Sequence, residues 1–410
     1  MTDENMAMNK KLQRIIEKEA PALVELEQSL LSVGQSEFLI EQSIKSEINR
    51  RTRKLMNLYS ADLNNAFVLL KADETGYEKK LLEAERNDIL PDPYDEEQKK
   101  LLTMQIKIIE NALELKRQYK KKTSGEHPIE RDMVQYPLIS ASSPKTEKLK
   151  TLAKNNGTVV QTRHGFRQLY YENERGKFLT MHDERVLLGL FKIWMNSGQY
   201  QTFSFDFKDL AEEMFIFEPT GGEYNAILNS LQNLYATSIV MLEYTDPTSN
   251  TSSSREYHRP IHTLKLIGTP GKERAATISF HDYVQNSMIA GNYIMINMLY
   301  FNDLKYDTSR VLYPFILSEL SKNQYNYVLD MDLLITQFNI STDNESRARS
   351  LIMSAMEELS TSGELISEPE LKKLGNKYFV QFQVHPEFKK DVREGLIDPP
   401  AGPQQMKFLL

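Results

Sequence analysis

The chain of 410 residues contains no cysteine, which excludes disulfide frameworks, cysteine-ligated zinc, iron–sulfur clusters and thiol nucleophiles. It also has no apolar run long enough to cross a membrane, and its first twenty residues are polar with mixed charge, so no secretory signal is expected. These absences predict a soluble, cytoplasmic protein with no membrane association.

Motifs of the common catalytic sites are missing as well. There is no G-x-x-x-x-G-K-[ST] loop for a nucleotide, no G-x-S-x-G serine turn and no H-E-x-x-H zinc motif. Residues 268–272 (GTPGK) lack the phosphate-loop spacing and predict a hairpin turn. His258 and His262 are four residues apart, but Pro260 between them prevents a regular helix. The sequence therefore predicts a protein that is not an enzyme and uses no cofactor or metal.

Charge sets a weaker limit on function. The chain has 50 basic and 57 acidic side chains, a formal net charge of −7. This balance excludes a histone-like polycation, but DNA binding requires only a local basic surface. Residues 151–410 carry 25 basic and 31 acidic side chains, so any basic surface there must be small.

Residues 1–122 are predicted to be helical throughout, because their apolar residues recur at spacings of three and four. The clearest runs are Leu23, Leu26, Leu30 and Val33, and Leu101, Met104, Ile108, Ala112, Leu115 and Tyr119. Pro21 and the prolines at 91 and 93 are predicted to break the helices. We expect three or four helices in a bundle or antiparallel coiled coil. Its basic runs, residues 45–54 and 116–122, either contact DNA or pair with acids and helix ends nearby.

Residues 123–160 are predicted to be a linker, since glycine, proline, serine and asparagine are dense there and the periodicity is lost. Within it, residues 133–139 (MVQYPLI) are apolar enough to dock on a neighbouring element.

An internal repeat follows the linker. The tripeptide Arg-Val-Leu begins helical patterns at Arg185 and again at Arg310. Each copy continues with an aromatic strand, a short helix, a helix with a capping box (Thr220 and Glu223; Thr342 and Glu345) and a β-hairpin. This order is typical of a winged helix-turn-helix. The predicted fold is α+β and mostly α: a helical bundle (1–122), a linker (123–160), two tandem winged helices (161–300 and 301–395) and a tail (396–410).

In the second copy, the third helix is predicted to start near Asn344 and to bury Ile352, Ala355 and Leu359. Arginine can bind a guanine edge and asparagine an adenine edge, and a helix N-terminus favours phosphate. The predicted DNA-contacting residues are Asn344, Ser346, Arg347, Arg349 and Ser350 on this helix, and Lys372, Lys373 and Lys377 on the hairpin. Residues 368–376 are predicted to form the hairpin loop.

The first copy has no lysine or arginine on its third helix, residues 221–238. Its plausible helix contacts are Tyr224, Asn225 and Asn229. Its hairpin is predicted to pair residues 239–244 with 261–267 across a loop at 245–260, and its basic residues are Arg255, Arg259, Lys265, Lys272 and Arg274. This copy is predicted either to position the DNA backbone or to mediate dimerisation.

Six segments of the C-terminal 250 residues carry a family resemblance: residues 178–190 (FLTMHDERVLLGL), 205–211 (FDFKDLA), 280–284 (FHDYV), 291–297 (GNYIMIN), 304–313 (LKYDTSRVLY) and 353–359 (MSAMEEL). They resemble plasmid replication initiator (Rep) proteins of the theta type. The resemblance implies binding of repeated duplex sites at an origin, opening of a neighbouring AT-rich segment and recruitment of host replication proteins in the bacterial cytoplasm. Many such proteins also form dimers that repress their own gene.

Residues 1–122 do not resemble the usual N-terminus of such initiators. Oligomerisation, or recruitment of a host helicase or its loader, is the natural expectation for this region. Two other functions remain open for the whole chain: a winged-helix transcriptional regulator, and a protein-binding adaptor or scaffold. The net acidic charge of residues 151–410 favours the adaptor.

Overall fold

The computed structural model describes residues 8–87, 90, 92–122, 127–135, 159–160, 168–175, 177, 179–245, 252–320, 325–338, 340, 344–361 and 365–385. The fold is mostly helical with several small antiparallel sheets, in agreement with the predicted α+β class. It divides into two compact units. The helical unit comprises Met1–Lys122 and Phe215–Glu218, and the second unit comprises Thr123–Met214 and Pro219–Leu410. None of the described helices combines the length and apolar character that a membrane crossing requires.

Four long helices form the helical unit: α1 (Lys10–Ser32), α2 (Glu37–Thr52), α3 (Ser60–Arg86) and α4 (Pro93–Lys122), with a 3-10 turn at Arg53–Leu55. The predicted break at Pro21 is wrong, because α1 continues through this proline. Apolar side chains on both sides of it, including Ile16 and Leu23, are buried in one core. Burial of this stripe outweighs the roughly 3 kcal/mol that a proline inside a helix costs. The predicted break near Pro93 is correct, since this proline begins α4.

The second unit begins with a strand inside the predicted linker. Strand β1 (His127–Glu130) pairs antiparallel with β9 (Tyr293–Ile296), and α5 (Arg131–Gln135) follows it. The buried Glu130 carboxylate accepts hydrogen bonds from the Ser287 hydroxyl at 2.6 Å and the Asn292 amide at 3.1 Å. The linker prediction is therefore wrong for residues 127–135, because partners about 160 residues away order this segment. The remainder of the linker, apart from a short strand at its end, lies outside the described residues.

Module one, residues 181–280, has the predicted order of helix, strand, helix, helix and hairpin. Its elements are α6 (Met181–Asn196), β4 (Phe203–Asp206), α7 (Phe207–Glu213), α8 (Gly221–Tyr235), β7 (Ile261–Ile267) and β8 (Ala275–Phe280). The sheet order is β4-β8-β7, so the first strand pairs with the last. The hairpin turn predicted at residues 268–272 joins β7 to β8 and is confirmed.

A four-stranded sheet is inserted in module one between α8 and the hairpin. Its order is β2-β3-β5-β6, with β2 (Val159–Val160), β3 (Gln168–Asn173), β5 (Thr237–Thr245) and β6 (Ser252–His258). The predicted loop at 245–260 and the predicted pairing of 239–244 with 261–267 are wrong, because β5 pairs with β6 and β7 pairs with β8. The sequence of β6, SSSREYH, shows no apolar alternation, so its pattern does not indicate a strand.

Module two, residues 307–384, repeats both the element order and the sheet order of module one. It contains α11 (Asp307–Glu319), β10 (Asn326–Asp330), α12 (Met331–Gln337), α13 (Glu345–Thr361), β11 (Ile366–Leu374) and β12 (Lys377–Val384) in the sheet β10-β12-β11. The predicted loop at 368–376 is wrong, since only Gly375 and Asn376 form the turn. Pro369, which favours a loop in the sequence, lies at a bulge in the edge strand, where a missing N–H is tolerated.

Between the modules lie α9 (Asp282–Ile289), β9 and α10 (Met298–Asp303). The predicted domain boundary between residues 300 and 301 therefore falls inside α10. Near this junction the Met214 carbonyl accepts hydrogen bonds from Arg185 at 3.0 Å and from Asn302 at 3.1 Å.

Candidate nucleic-acid interface

Helix α13 begins where the sequence predicts the DNA-reading helix. The Asn344 side-chain oxygen accepts a hydrogen bond from the Ser346 backbone N–H at 2.8 Å, which caps the helix. Glu345 is the first helical residue, and Thr342, the other half of the predicted capping box, lies outside the described residues. The predicted core face is confirmed, because Ile352, Ala355 and Leu359 are all buried.

The opposite face of α13 presents small and basic side chains. Ser346, Arg347 and Ser350 are exposed, and Leu351 beside them is 37% exposed. In the part of the chain that the structure describes, the Arg347 guanidinium makes no hydrogen bond or ion pair. A cation next to short serine side chains at a helix N-terminus matches what contact with base edges and phosphates requires.

Arg349 is placed differently from the prediction. Its side chain is only 16% exposed and lies 3.4 Å from the Glu345 carboxylate. Its guanidinium also packs over the Tyr378 ring of β12, at 4.2 Å from the centroid. The predicted base contact is therefore not available to Arg349 in this conformation, because its guanidinium is already engaged with the hairpin.

The three predicted hairpin lysines are all exposed. Lys372 lies 3.5 Å from Glu370 and Lys377 lies 3.7 Å from Asp330. Lys373 lies 5.3 Å from the centroid of the Tyr378 ring. Exposed ion pairs of this kind contribute little, so the lysines stay available to phosphates.

In module one, the predicted capping box of α8 is confirmed, since Thr220 and Glu223 bond each other's backbone N–H at 3.4 Å and 2.7 Å. Asn225 and Asn229 are exposed, although the Asn229 amide donates to the Asn225 carbonyl at 2.9 Å. Tyr224 is half-buried, and the Arg274 guanidinium packs over its ring at 4.6 Å.

Two basic residues predicted for the hairpin of module one lie elsewhere. Arg255 belongs to β6 in the inserted sheet, and its side chain lies outside the described residues. Arg259 forms an ion pair with Glu174 and packs near the Tyr235 ring. The β7–β8 hairpin itself carries Lys265 and Lys272, both exposed, together with Arg274. The sequence alone does not separate the hairpin cations from Arg255 and Arg259, because the pattern of β6 indicates a loop.

Three of the five cations in the basic run at residues 45–54, Arg50, Arg51 and Lys54, form ion pairs. Arg51 contacts Glu19 at 2.5 Å and Glu47 at 2.8 Å, and Lys54 lies 3.2 Å from Glu19. The hydrogen bond from Arg50 lowers the pKa of Glu47 to about 2, with burial opposing and Arg51 reinforcing the shift. This arrangement matches the ion-pair alternative for Arg50, Arg51 and Lys54.

In the second basic run, at the end of α4, the two described basic side chains are buried or paired. Lys116 is buried, and Arg117 pairs with Glu114 at 2.8 Å; the side chains of residues 119–122 lie outside the described set. Across the described residues, no group of three or more metal-ligating side chains comes together.

Comparison with known proteins identifies no family for this chain. No family model matches it, and no curated protein matches it. Among solved structures, it is similar to selenomethionine derivatives of domains 2 and 3 of RctB, with 12% identity, a TM-score of 0.41, and coverage of 56% of this chain and 91% of that one. A second crystal structure of RctB domains 2–3 gives 13% identity, a TM-score of 0.36, and coverage of 58% and 94%. At these values the similarity assigns no function.

Proposed function

We propose that this chain is a plasmid replication initiator that binds double-stranded DNA through two winged helices. The observation that carries the proposal is the repetition within one chain: modules one and two share their element order and their sheet order, first strand beside last. In each, a capped helix and a neighbouring hairpin expose the side chains that this class of DNA-binding module directs to a groove and its flanking phosphates.

The proposed division of labour follows the exposed cations. Module two reads bases with Arg347, supported by Ser346 and Ser350, and its hairpin lysines contact phosphates. Module one has no cation on α8, so its role is to hold the backbone with Lys265 and Lys272 from the β7–β8 hairpin. Backbone contacts of this kind fix register, and base contacts supply specificity.

The initiator function includes partners other than DNA. We assign the helical unit to recruitment of a host helicase or its loader. The end of α1 and the start of α2 support this assignment, because Val33 is 72% exposed and Phe38 is 67% exposed. Dimerisation of the chain, repression of its own gene and opening of AT-rich DNA complete the proposal. It includes no enzymatic step, cofactor or metal.

A nuclease footprint on the DNA that flanks the gene tests the proposal. We expect protection of several evenly spaced repeats of one sequence, which is the arrangement an initiator uses. A single protected palindrome would instead assign the chain to transcriptional regulation. No protection at low or physiological salt would overturn DNA binding.

A protein-binding adaptor is the second candidate. It is favoured by the net charge of −6 over residues 151–410, where 31 acidic side chains outnumber 25 basic ones. Salt separates the two functions. Binding through several phosphate contacts weakens in proportion to a power of the salt concentration, whereas an apolar protein interface shows little such dependence.

A further inference from the structure

In both modules an arginine and a tyrosine connect the capped helix to the hairpin, but the two residues exchange places. In module one the tyrosine is on the helix (Tyr224, α8) and the arginine comes from the turn that closes the β7–β8 hairpin (Arg274), 4.6 Å from the ring centroid. In module two the arginine is on the helix (Arg349, α13) and the tyrosine is on the hairpin (Tyr378, β12), at 4.2 Å. Neither pair is suggested by its neighbours in sequence.

Each contact is held in place by further interactions. Arg349 is kept over the ring by the Glu345 carboxylate, one helical turn earlier. Lys373 stands directly opposite Tyr378 in the hairpin register and is also near this ring. In module one, the Arg274 carbonyl accepts a hydrogen bond from the Phe207 N–H at 2.7 Å, which anchors the turn end of the hairpin to the start of α7.

The hairpin of module two has few other restraints near its tip. Leu371 and Leu374 are 46% and 66% exposed, Lys372 and Lys377 each form one ion pair within the module, and Lys373 lies near the Tyr378 ring. The Arg349–Tyr378 contact therefore joins α13 to the hairpin close to the residues that would reach phosphates.

We propose that these two pairs, the helix–hairpin clasps, are positioning devices that fix the distance and angle between the groove-reading helix and its hairpin. The inference rests on the proposed DNA-binding function. It assigns Arg349 and Arg274 to positioning rather than to base contact, and it leaves Arg347 as the base-reading arginine of module two. A preorganised hairpin presents Lys372, Lys373 and Lys377 to phosphates without an ordering cost on binding.

The test compares four variants of the full chain: Tyr378→Leu, Tyr378→Phe, Arg349→Met and Arg347→Met. Hydrogen exchange of the hairpin amides is measured without DNA, and affinity for a footprinted duplex is measured across a salt series. We expect Tyr378→Leu and Arg349→Met each to raise hairpin exchange several-fold and to lower the salt slope by about one for each phosphate that the hairpin no longer binds. Combining the two substitutions should raise hairpin exchange no further than either one alone, because each breaks the same contact.

The other two variants are controls. Tyr378→Phe retains the ring and should behave as the unmodified chain. Arg347→Met removes the same charge as Arg349→Met, two residues away, and should leave hairpin exchange unchanged while reducing discrimination between sequences.

The outcomes separate the clasp from the proposed function. Unchanged exchange in Tyr378→Leu and Arg349→Met would overturn the clasp. Raised exchange with an unchanged salt slope and affinity would overturn its positioning role. Raised exchange in a chain that binds no duplex at all would support the clasp and overturn the DNA-binding proposal.

Discussion

Modules one and two place different groups at equivalent positions of the same fold. The first helix of module one contains Glu184 before Arg185, whereas that of module two contains Ser309 before Arg310. The Glu184 carboxyl is buried, and one of its oxygens has no hydrogen-bond partner in the described part of the chain. Ser309 is equally buried, but its hydroxyl donates to the Glu358 carboxylate at 2.5 Å.

The backbone N–H groups at the starts of these two helices donate hydrogen bonds to different carboxylates. At α6, Asp183 of the same helix accepts hydrogen bonds from the Thr180 backbone N–H and hydroxyl, at 2.6 Å and 2.7 Å. At α11 the carboxylate is Glu358, supplied by α13, which accepts from the N–H groups of Lys305 and Tyr306 at 2.6 Å and 3.2 Å. Module one therefore caps its first helix locally, whereas module two ties that helix to α13.

The largest expected effect concerns Glu184. Burial raises its pKa to about 8, with Arg310 opposing and Asp307 adding to the shift. The folded chain therefore keeps a proton that the unfolded chain loses near pH 4.5, so stability should fall as pH rises between about 4.5 and 8. The unmodified chain should lose on the order of 3 kcal/mol of folding stability between pH 5 and pH 8, and Glu184→Gln should abolish this loss.

Urea denaturation of both proteins at several pH values measures this difference. Ser309→Ala is the control at the equivalent position of module two, since it changes a buried group that does not titrate in this range. Parallel pH profiles for Glu184→Gln and the unmodified chain would show that Glu184 is not buried as a protonated acid.

A smaller effect on stability is expected at the starts of α6 and α11. Glu358→Ala should destabilise module two by about 2–3 kcal/mol, because it removes charged hydrogen bonds to two N–H groups and a hydroxyl. Asp183→Ala removes only a local cap and should cost about 1 kcal/mol. Hydrogen exchange locates the damage: Glu358→Ala should increase exchange in both α11 and α13, whereas Asp183→Ala should affect the first turn of α6. Equal and local effects of the two variants would contradict the coupling.

Elements with strong local signals are predictable from the sequence. The capping box of α8 and the turn at residues 268–272 are examples, because each depends only on residues adjacent in the chain. The β1–β9 pairing and the Arg349–Tyr378 contact join distant residues, and no local pattern encodes them.

Several of the residues that carry the family resemblance, including Val311, Leu312 and Tyr313, are buried in the core. Tyr313, for example, packs edge-on against Tyr300, and its hydroxyl accepts a hydrogen bond from the Asn297 N–H. Such residues determine how the elements pack, so they indicate a fold more strongly than a binding site. The exposed residues, above all Arg347, must be tested by binding.

The most direct test of the DNA-binding account is the affinity of Arg347→Ala for the footprinted duplex and for a shuffled duplex of the same composition. Arg117→Ala is the matched control, because Arg117 is an exposed arginine of the helical unit. We expect Arg347→Ala to lose about 1–3 kcal/mol of discrimination between the two duplexes, and Arg117→Ala to lose none. Full discrimination by Arg347→Ala would contradict the assignment of α13 as the helix that reads DNA.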